Sequence, residues 1–395
     1  MDDGGDKKLR RNHGIVGAVK MLARAPGVAA NADEFDQNPD LAGTPDGILD
    51  LRTGNMLDGT REELGKWMIT KCLACAPADE ESSMWKRCLE DWTMGDEDLE
   101  RQMQLYAGYC LTGYVTEQAF SFLYGTGANG KSVFVDLMLE VAGGYGRAVS
   151  MDVFINKRYE QHPAELAQLM GVRLAVAAET KRGRKWDDGR VKNLTGGDKI
   201  NARFMRQNPF DFMPTHKLLL HGNYQPRLDD VGESMRRRLA IVPFKFKPSA
   251  EQLNPNLLDE LKAELPGVLR WMVNGAVMWY ESGLLQSEVS KAETEEYFAE
   301  QDVLGGWMAM CCEEGPQYSE PNPNLWESFE LYQKREGESS KAGGMNRKAF
   351  NDEMRRRGFL TKVRSVAGKK ARHRLEIRLN EEARRELERE RERLR

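Results

Sequence analysis

The chain of 395 residues contains no hydrophobic run long enough to span a bilayer, since a membrane helix needs about 20 consecutive apolar residues. It also lacks the N-terminal pattern of a secretory signal, in which a basic segment precedes an apolar one. Hydrophobic residues make up 40% and charged residues 30% of the sequence, a balance that suits a globular protein of two or three domains. We therefore expect a cytoplasmic protein with no membrane partner.

Cysteine is scarce, with six residues in the chain. Cys72 and Cys75 form one C-x-x-C spacing, and neither a second pair nor a histidine lies nearby in the sequence. A structural zinc site takes four such ligands. The sequence therefore gives no support to a zinc site and favours reduced cysteines.

The charge is unevenly distributed along the chain. The net formal charge is -4, yet residues 341–395 hold 19 Lys and Arg against 9 Asp and Glu. The remainder of the chain is therefore acidic. A basic module joined to an acidic body indicates a polyanion partner at one end, and a solvated basic face is the alternative.

Residues 125–132, G-T-G-A-N-G-K-S, match the phosphate-binding pattern G-x-x-x-x-G-K-[ST]. Residues 120–124 before them are mostly apolar, and apolar residues follow at helical spacing. Between a strand and a helix, backbone N–H groups and the helix N-terminus can face a phosphate; a chance glycine-rich turn is the alternative. We expect Lys131 to contact the β- and γ-phosphates and Ser132 to ligate Mg²⁺. The predicted nucleotide site comprises Gly125, Gly127, Ala128, Asn129, Gly130, Lys131 and Ser132.

Three further apolar segments, 173–178, 217–222 and 239–244, alternate with helical segments and predict a mostly parallel α/β sheet. Ligands of such sheets lie at the carboxyl ends of the strands. Glu179 follows the first segment and Asn223 the second. We expect Glu179 to hold the magnesium shell and polarise a water, and Asn223 to orient that water. A capping acid and a turn-forming asparagine are the alternatives.

Two alternating segments around the turn sequence R-Q-N-P predict a β-hairpin with Arg206 at its tip. Lys199 and Arg203 add to its basic character, which suits a nucleic-acid backbone; a solvated hairpin is the alternative. An arginine cluster, residues 236–238, precedes the next strand. There Arg237 or Arg238 could reach the γ-phosphate of a neighbouring subunit, and a solvated cluster is again the alternative.

The predicted domains are a mostly helical N-terminal domain at 1–117, a nucleotide-binding core at 118–285, a linker at 286–323 that contains three prolines, and a basic module at 324–380. In the N-terminal domain we expect a basic segment at 7–11, a helix at 13–24 and four aromatic core residues, Trp67, Trp85, Trp92 and Tyr106. A charged, solvated helix follows at 381–395. The basic module has the order helix, helix, strand, basic turn, strand, which is typical of a winged helix. Its predicted DNA-binding residues are Arg347, Lys348, Lys369 and Lys370.

Together these motifs resemble the superfamily 3 helicases, in the branch formed by the C-terminal halves of phage and plasmid primase-helicases. The shared order is G-x-G-x-N-G-K-S, a strand ending in Glu-Thr, L-T-G-G-D with a basic hairpin, a strand ending in Asn, then R-R-R-L and P-F. The resemblance extends upstream to residues 46–51 and 105–113 and downstream to the basic module. It therefore covers most of the chain.

The resemblance implies an AAA+-like P-loop ATPase core that uses ATP and Mg²⁺ and translocates on single-stranded DNA as a hexameric ring. It implies that the N-terminal domain is a collar and that the winged helix contacts duplex DNA. Many members have two adjacent acids, whereas Thr180 follows Glu179 here, which leaves the general base open. No polymerase-type primase domain is recognisable ahead of residue 119. Either a separate primase or polymerase is a partner that does the priming, or the chain is a fragment.

Two other functions compete with a replicative helicase. The first is an origin-binding initiator whose ATPase only switches assembly. The second is a nucleotide kinase fused to a DNA-binding domain, which has no use for the hairpin or for the arginine cluster.

Overall fold

The computed structural model describes residues 34–156, 164–179, 181–228, 231–335, 344–366 and 369–395. The basic segment at 7–11 and the helix predicted at 13–24 lie outside these residues. The chain forms two compact units, Met1–Thr294 and Glu295–Arg395, and each is described by itself. In the described parts of the chain, no helix is both long and apolar enough to cross a membrane.

The first unit mixes strands and helices along the chain. Its described strands are β1 (Leu41–Thr44), β2 (Gly47–Asp50), β3 (Asn55–Met56), β4 (Phe120–Tyr124), β5 (Gly146–Ala148), β6 (Leu174–Glu179), β7 (Ile200–Ala202), β8 (Phe210–Phe212), β9 (Lys217–Gly222) and β10 (Leu239–Pro243). Its described helices are α1 (Arg61–Gly65), α2 (Ser83–Thr93), α3 (Glu97–Leu111), α4 (Lys131–Ala142), α5 (Ala164–Ala167), α6 (Asp188–Thr195), α7 (Glu233–Arg236), α8 (Leu257–Ala263) and α9 (Leu265–Ser282), and α10 (Glu288–Gln301) follows them.

A five-stranded sheet in the order β10-β4-β9-β6-β5 forms the centre of this unit. All four pairings within it are parallel. Its four longer strands are buried along most of their length, because a parallel sheet that is covered on both faces requires apolar runs. The predicted parallel α/β sheet and its four predicted strands are therefore confirmed.

The two faces of the sheet are covered by different parts of the chain. On one face, Phe120 and Phe122 pack edge-on against the buried ring of Trp186. On the other face, Leu123 and Leu219 pack with α4, α3 and α9 in one large apolar core. The helix α4 that follows the glycine-rich loop is thus fixed to the sheet by the apolar side chains along its inner face.

The N-terminal segment does not form a core of its own, and the predicted boundary at 117/118 is wrong in this respect. Side chains of β1, β2, α2 and α3 belong to the same buried cluster as those of β4, α4 and α9. The predicted aromatic core residues Trp85, Trp92 and Tyr106 are buried there. Trp67, by contrast, is 36% exposed and is not a core residue. The segment also contains the antiparallel sheet β1-β2-β3, so it is less helical than predicted.

Two glycines explain how α3 and α9 pack so closely. A Cβ atom on Gly108 would lie 2.0 Å from the backbone N of Ala276, and one on Gly275 would lie 2.1 Å from the carbonyl oxygen of Gln104. Since real Cβ atoms do not approach backbone so closely, the crossing requires glycine at both positions. It joins the N-terminal helices to the helix that closes the core.

The predicted hairpin is present as β7 and β8, paired antiparallel from Ile200 opposite Phe212 to Ala202 opposite Phe210. Residues 203–209 connect the two strands. Arg206 lies in this connection with a φ of 62°, in the left-handed region that side chains other than glycine rarely adopt. The hairpin therefore turns at Arg206, as the sequence predicted.

The second unit contains α11 (Val303–Cys311), β11 (Cys312–Pro321), α12 (Asn322–Arg335), α13 (Arg347–Arg356), β12 (Thr361–Val366), β13 (Lys369–Leu379) and α14 (Glu381–Arg393). Its sheet has the order β11-β13-β12 and is antiparallel. The two helices and two strands predicted for the basic module are present, although their bounds differ by a few residues. A third strand, β11, was not predicted.

The linker predicted at 286–323 is wrong, because α10, α11 and β11 occupy most of it. Its three prolines suggested an irregular segment, but β11 is an edge strand, where proline is tolerated. The charged segment 381–395 is also not a purely solvated helix. Ala383 and Leu387 of α14 are buried in the core of the unit, and Arg384 pairs with Glu320 at 2.7 Å.

Two basic side chains are buried where the sheet begins. The guanidinium of Arg173 donates to the carbonyl oxygens of Leu111 and Leu41, at 2.7 and 2.8 Å. The ammonium of Lys217 donates to the carbonyl oxygens of Thr112 and Thr215. Because Leu111 and Thr112 end α3, both cations hold the end of that helix against the start of the sheet.

Burial lowers the pKa of Lys217 to about 7 from its ordinary value of 10.5. Between these two values the unfolded chain binds this proton and the folded chain has released it, so stability rises with pH over this interval. We expect the wild-type unfolding free energy, relative to that of Lys217→Met, to rise between about pH 7 and 8.5 by up to about 1.4 kcal/mol per pH unit.

Urea unfolding at a series of pH values measures this difference. The exposed residue Lys247 supplies the control, and Lys247→Met should follow the wild-type pH dependence. Identical pH dependence for wild type and Lys217→Met would contradict the lowered pKa.

Candidate nucleotide-binding site

Three neighbouring strands of the sheet end at the same level. Backbone pairing aligns Tyr124 of β4 with Gly222 of β9, and Gly222 with Glu179 of β6. The glycine-rich loop leaves β4 directly after Tyr124, and Asn223 directly follows Gly222. The loop, Asn223 and Glu179 therefore meet at one edge of the sheet, where parallel α/β proteins bind their ligands.

The loop at 125–130 has the backbone conformation that its glycines allow. Gly127, Ala128 and Gly130 have φ values of 105°, 48° and 88°. Gly130 is the N-cap of α4, and no side chain caps that helix. The first N–H groups of α4 are thus open to an anion, and the helix dipole favours one there.

Asn129 and Lys131 hold the loop together from inside. The Nδ2 of Asn129 donates to the carbonyl oxygen of Phe244 at 2.7 Å. The Nζ of Lys131 donates to the Oδ1 of Asn129 and to the carbonyl oxygen of Gly125, both at 2.8 Å. Lys131 is buried, and that burial lowers its pKa. Two neutral oxygens leave its charge uncompensated, which favours a phosphate as a further partner.

Glu179 is buried, with 3% of its surface exposed. Its Oε1 accepts a hydrogen bond from the backbone N of Lys181 at 2.7 Å. Its Oε2 has no hydrogen-bond partner among the described residues, and the Nε of Arg184 lies 3.9 Å away. A buried carboxylate oxygen with no hydrogen bond and only a long ion pair among the described residues is costly and fits an oxygen-seeking cation or a bound water. Ser132 is exposed at the start of α4 and supplies a second oxygen of the kind that Mg²⁺ prefers.

Asn223 is exposed and faces the loop. Its Nδ2 lies 3.9 Å from where a Cβ atom of Gly127 would be. An uncharged amide beside the loop can donate to a phosphate oxygen or orient a water.

Arg237 and Arg238 differ in their surroundings. Arg238 is buried, and its guanidinium donates to Gln118, Thr195 and Ser234 at 2.7–3.2 Å. These bonds hold Arg238 within its own chain, so its prediction as a residue that reaches a neighbouring subunit is wrong. Arg237 is exposed and is the arginine of the pair that another molecule can contact.

Arg237 lies where the strands of the sheet begin, whereas the glycine-rich loop lies where they end. It precedes β10, whose first residue, Leu239, pairs with Phe120, the first residue of β4. The loop leaves the other end of β4, after Tyr124. A strand advances about 3.3 Å per residue, so the length of β4 separates Arg237 from the loop of its own chain. Arg237 therefore does not lie beside the loop of its own chain.

Six of the remaining predicted DNA-binding residues are exposed. Lys199, Arg203 and Arg206 of the hairpin are exposed. In the second unit, Arg347 and Lys348 are exposed at the start of α13, and Lys370 is exposed in β13. Lys369 is the first residue of β13.

Trp92 was predicted only as a core residue, yet it contacts the glycine-rich loop. A Cβ atom on Gly130 would lie 2.1 Å from the Nε1 of Trp92, and one on Gly125 would lie 2.4 Å from the carbonyl oxygen of Phe244. The loop is therefore supported by α2 on one side and by the segment after β10 on the other. Nothing in the sequence pattern indicates these contacts, because they join distant parts of the chain.

Two family models match parts of the chain. Residues 6–93 match the family described as D5 N terminal like, and residues 123–238 match a family of unknown function, DUF5906. The second match contains the glycine-rich loop, Glu179, Asn223 and the arginine cluster. The first ends at Thr93, so it includes Trp92.

The chain is also homologous to viral proteins that share the name "Putative helicase". It is 28% identical over 250 residues to L207/L206 of Acanthamoeba polyphaga mimivirus, covering 61% of this chain and 25% of that protein. It is 28% identical over 156 residues to 022R of Frog virus 3, covering 38% and 16%. It is 23% identical over 273 residues to 184R of Invertebrate iridescent virus 6, covering 65% and 27%. The chain thus spans about a quarter or less of the length of these relatives.

Among solved structures, the apo C-terminal region of NrS-1 is similar to this chain. One such structure has 13% sequence identity and a TM-score of 0.49, and the match covers 77% of each chain. A second has a TM-score of 0.47 at the same identity.

Gly130→Ala tests whether Trp92 shapes the loop. The added methyl group would overlap Trp92 and displace the loop. In a site whose groups are precisely positioned, a displacement on the order of 1 Å reduces activity more than tenfold. We expect the affinity for a fluorescent ATP analogue to fall at least about tenfold.

Gly358 supplies a matched control for that substitution. Its φ of 94° resembles that of Gly130, but nothing lies within 4 Å of its Cβ position. Gly358→Ala therefore introduces the same backbone strain of about 1–2 kcal/mol and should bind nucleotide normally. Equal affinities for the two variants would show that contact with Trp92 does not control the loop.

Proposed function

We propose that this protein is an ATP-dependent DNA helicase of the superfamily 3 type, which translocates on single-stranded DNA during replication of a phage, plasmid or related mobile element. The observation that carries the proposal is the common level at which β4, β9 and β6 end. It brings together a complete phosphate-binding loop, an amide and a buried carboxylate. Homology to viral proteins named as helicases supports the choice of activity.

Each of these residues has a chemical role in the proposal. Lys131 neutralises the β- and γ-phosphates of ATP, and the open N–H groups of α4 bind their oxygens. Ser132 would ligate Mg²⁺ and Glu179 would hold the water shell of the ion, which neutralises charge on the phosphates when bound. The Oε2 of Glu179, which accepts no hydrogen bond from the described residues, orients the attacking water and accepts its proton, and Asn223 fixes the position of the γ-phosphate.

Hydrolysis in this proposal requires a second copy of the chain. Arg237 is exposed and far from its own loop, so it completes the site of a neighbour in a head-to-tail ring. A hexamer is the ring size that the resemblance to superfamily 3 helicases implies. Arg238 supports Arg237 by fixing the backbone between α7 and β10.

Contacts with DNA come from two surfaces. Lys199, Arg203 and Arg206 of the hairpin bind phosphates of the single strand without sequence preference. The second unit acts as a winged helix on duplex DNA, through Arg347 and Lys348 of α13 and the residues Lys369 and Lys370 of β13.

The exposed basic residues of the second unit also suit an origin-binding initiator whose ATPase only switches assembly. Strand displacement separates the two functions. A helicase unwinds a forked duplex with ATP turnover, whereas an initiator of this kind binds its duplex and hydrolyses ATP without displacing a strand.

Glu179→Gln tests the role of the carboxylate. The amide preserves the shape and the hydrogen bond to Lys181 but cannot accept a proton. We expect ATP to bind with near-normal affinity and kcat to fall by about 100-fold or more. Phosphate release and equilibrium binding of a fluorescent ATP analogue measure the two effects. If kcat is unchanged, the residue that accepts the proton lies elsewhere.

Mixing two inactive variants tests the ring. Arg237→Ala retains an intact loop and Lys131→Ala retains an intact Arg237, and each alone should lose most ATPase activity, since such arginines contribute about 10³–10⁵ in kcat. In mixed rings, some sites combine an intact loop with an intact arginine. We therefore expect partial recovery of ATPase activity when the two variants are mixed under conditions that allow subunit exchange.

Arg236, beside the proposed finger, supplies a matched control because Arg236→Ala removes an equal charge. It should retain more activity than Arg237→Ala. An Arg237→Ala protein that hydrolyses ATP normally, or a wild-type protein that is fully active as a monomer, would show that each chain holds a complete site.

A further inference from the structure

The connection of the hairpin, residues 203–209, exposes apolar as well as basic side chains. Every residue in it is exposed, including Phe204 at 38% and Met205 at 72%. Large apolar side chains are exposed at a cost unless a partner covers them. Binding phosphates would require only the basic residues, so the apolar ones need a separate explanation.

Phe204 extends the apolar side of the hairpin beyond its last strand pair. Its ring stacks on that of Phe210, with centroids 5.1 Å apart and planes inclined by 19°. Phe210 lies against Phe212 in turn, with centroids 6.1 Å apart. The outer ring of this series, Phe204, belongs to the exposed connection. The rings thus form a short stack that a further flat group could continue.

An open groove of about 610 Å³ lies beside this stack. It combines apolar walls, one guanidinium and two side-chain amides. The residues that line it include Met170, Phe204, Arg206, Gln207, Asn208 and Phe210. An unpaired nucleobase and its phosphate are bound by flat aromatic surfaces, by cations, and by amides that donate and accept hydrogen bonds.

We infer that the hairpin holds an unpaired base of single-stranded DNA in this groove, stacked on Phe204, while Arg206 binds the adjoining phosphate. The inference rests on the proposed function and adds a base contact to the phosphate contacts proposed there. Charge complementarity favours this occupant over a protein segment, because the exposed connection beside the groove, residues 203–209, contains Arg203 and Arg206 and no acidic side chain. Stacking accepts any base, so the contact adds affinity without sequence preference.

The test compares two strands of equal length and phosphate number: oligo(dT) and a strand in which all sugars are abasic. Binding to the full chain is measured by fluorescence anisotropy at several salt concentrations, with a non-hydrolysable ATP analogue present. Stacking contributes about 1–3 kcal/mol per base, so wild type should bind oligo(dT) at least about fivefold more tightly than the abasic strand.

The variants separate stacking from charge. Phe204→Leu should bind both strands with similar affinity and keep the wild-type salt dependence, whereas Phe204→Tyr keeps a ring and should retain the preference for oligo(dT). Arg206→Gln should weaken the binding of both strands equally. It should also reduce the slope of log affinity against log salt concentration by about one. Leu253→Ala removes an exposed apolar side chain from outside the groove (57% exposed) and should match wild type.

Two results would overturn the base contact. Wild type could bind both strands equally, or Phe204→Leu could weaken both strands by the same factor. If oligo(dT) binds and stimulates ATP turnover in either case, the proposed helicase function stands and only the base contact fails. If wild type binds neither strand while still binding nucleotide, the proposed function fails together with the base contact. Loss of self-association in Phe204→Leu, with DNA binding unchanged, would assign the groove to a protein partner instead.

Discussion

Backbone hydrogen bonds hold β4, β9 and β6 in a register that ends all three strands at the same level. This register brings the loop after Tyr124, the amide of Asn223 and the carboxylate of Glu179 together without any direct bond among the three. A shift of one residue in either pairing would move Glu179 to the other face of the sheet. The apolar packing of both faces, with Trp186 on one side and α4 on the other, prevents such a shift.

The glycine-rich loop depends on parts of the chain that lie far from it in sequence. Trp92 of α2 occupies the space that a side chain at Gly130 would need, and Phe244 accepts the hydrogen bond that fixes Asn129. The glycine crossing of α3 and α9 joins these elements into one core. The N-terminal segment therefore supports the candidate nucleotide site, although the family model that matches this segment ends at Thr93, before the loop begins.

Sequence reasoning predicted the parts that local patterns determine. The loop motif, the apolar strands and the turn at Arg206 are each encoded within a few residues, and all of these elements are present. Sequence reasoning failed where contacts between distant parts of the chain determine the structure. Arg238 has the same local context as Arg237, but its bonds to Gln118 and Thr195 depend on how α6 and β4 pack around it. Likewise, the segment 286–323 contains prolines and polar residues, yet β11 is ordered by pairing with β13, more than fifty residues later in the chain.

The claim on which the other conclusions depend is that the sheet edge hydrolyses ATP. Steady-state phosphate release by the purified chain with Mg²⁺ and single-stranded DNA, compared with that of a folded Lys131→Ala protein, measures this most directly. We predict DNA-stimulated turnover in the wild type and its loss in the variant, because the Nζ of Lys131 lies inside the loop, bonded to the Oδ1 of Asn129 and the carbonyl oxygen of Gly125. Equal rates in the two proteins, or no turnover in the wild type under conditions where it assembles and binds DNA, would contradict the assignment of the site.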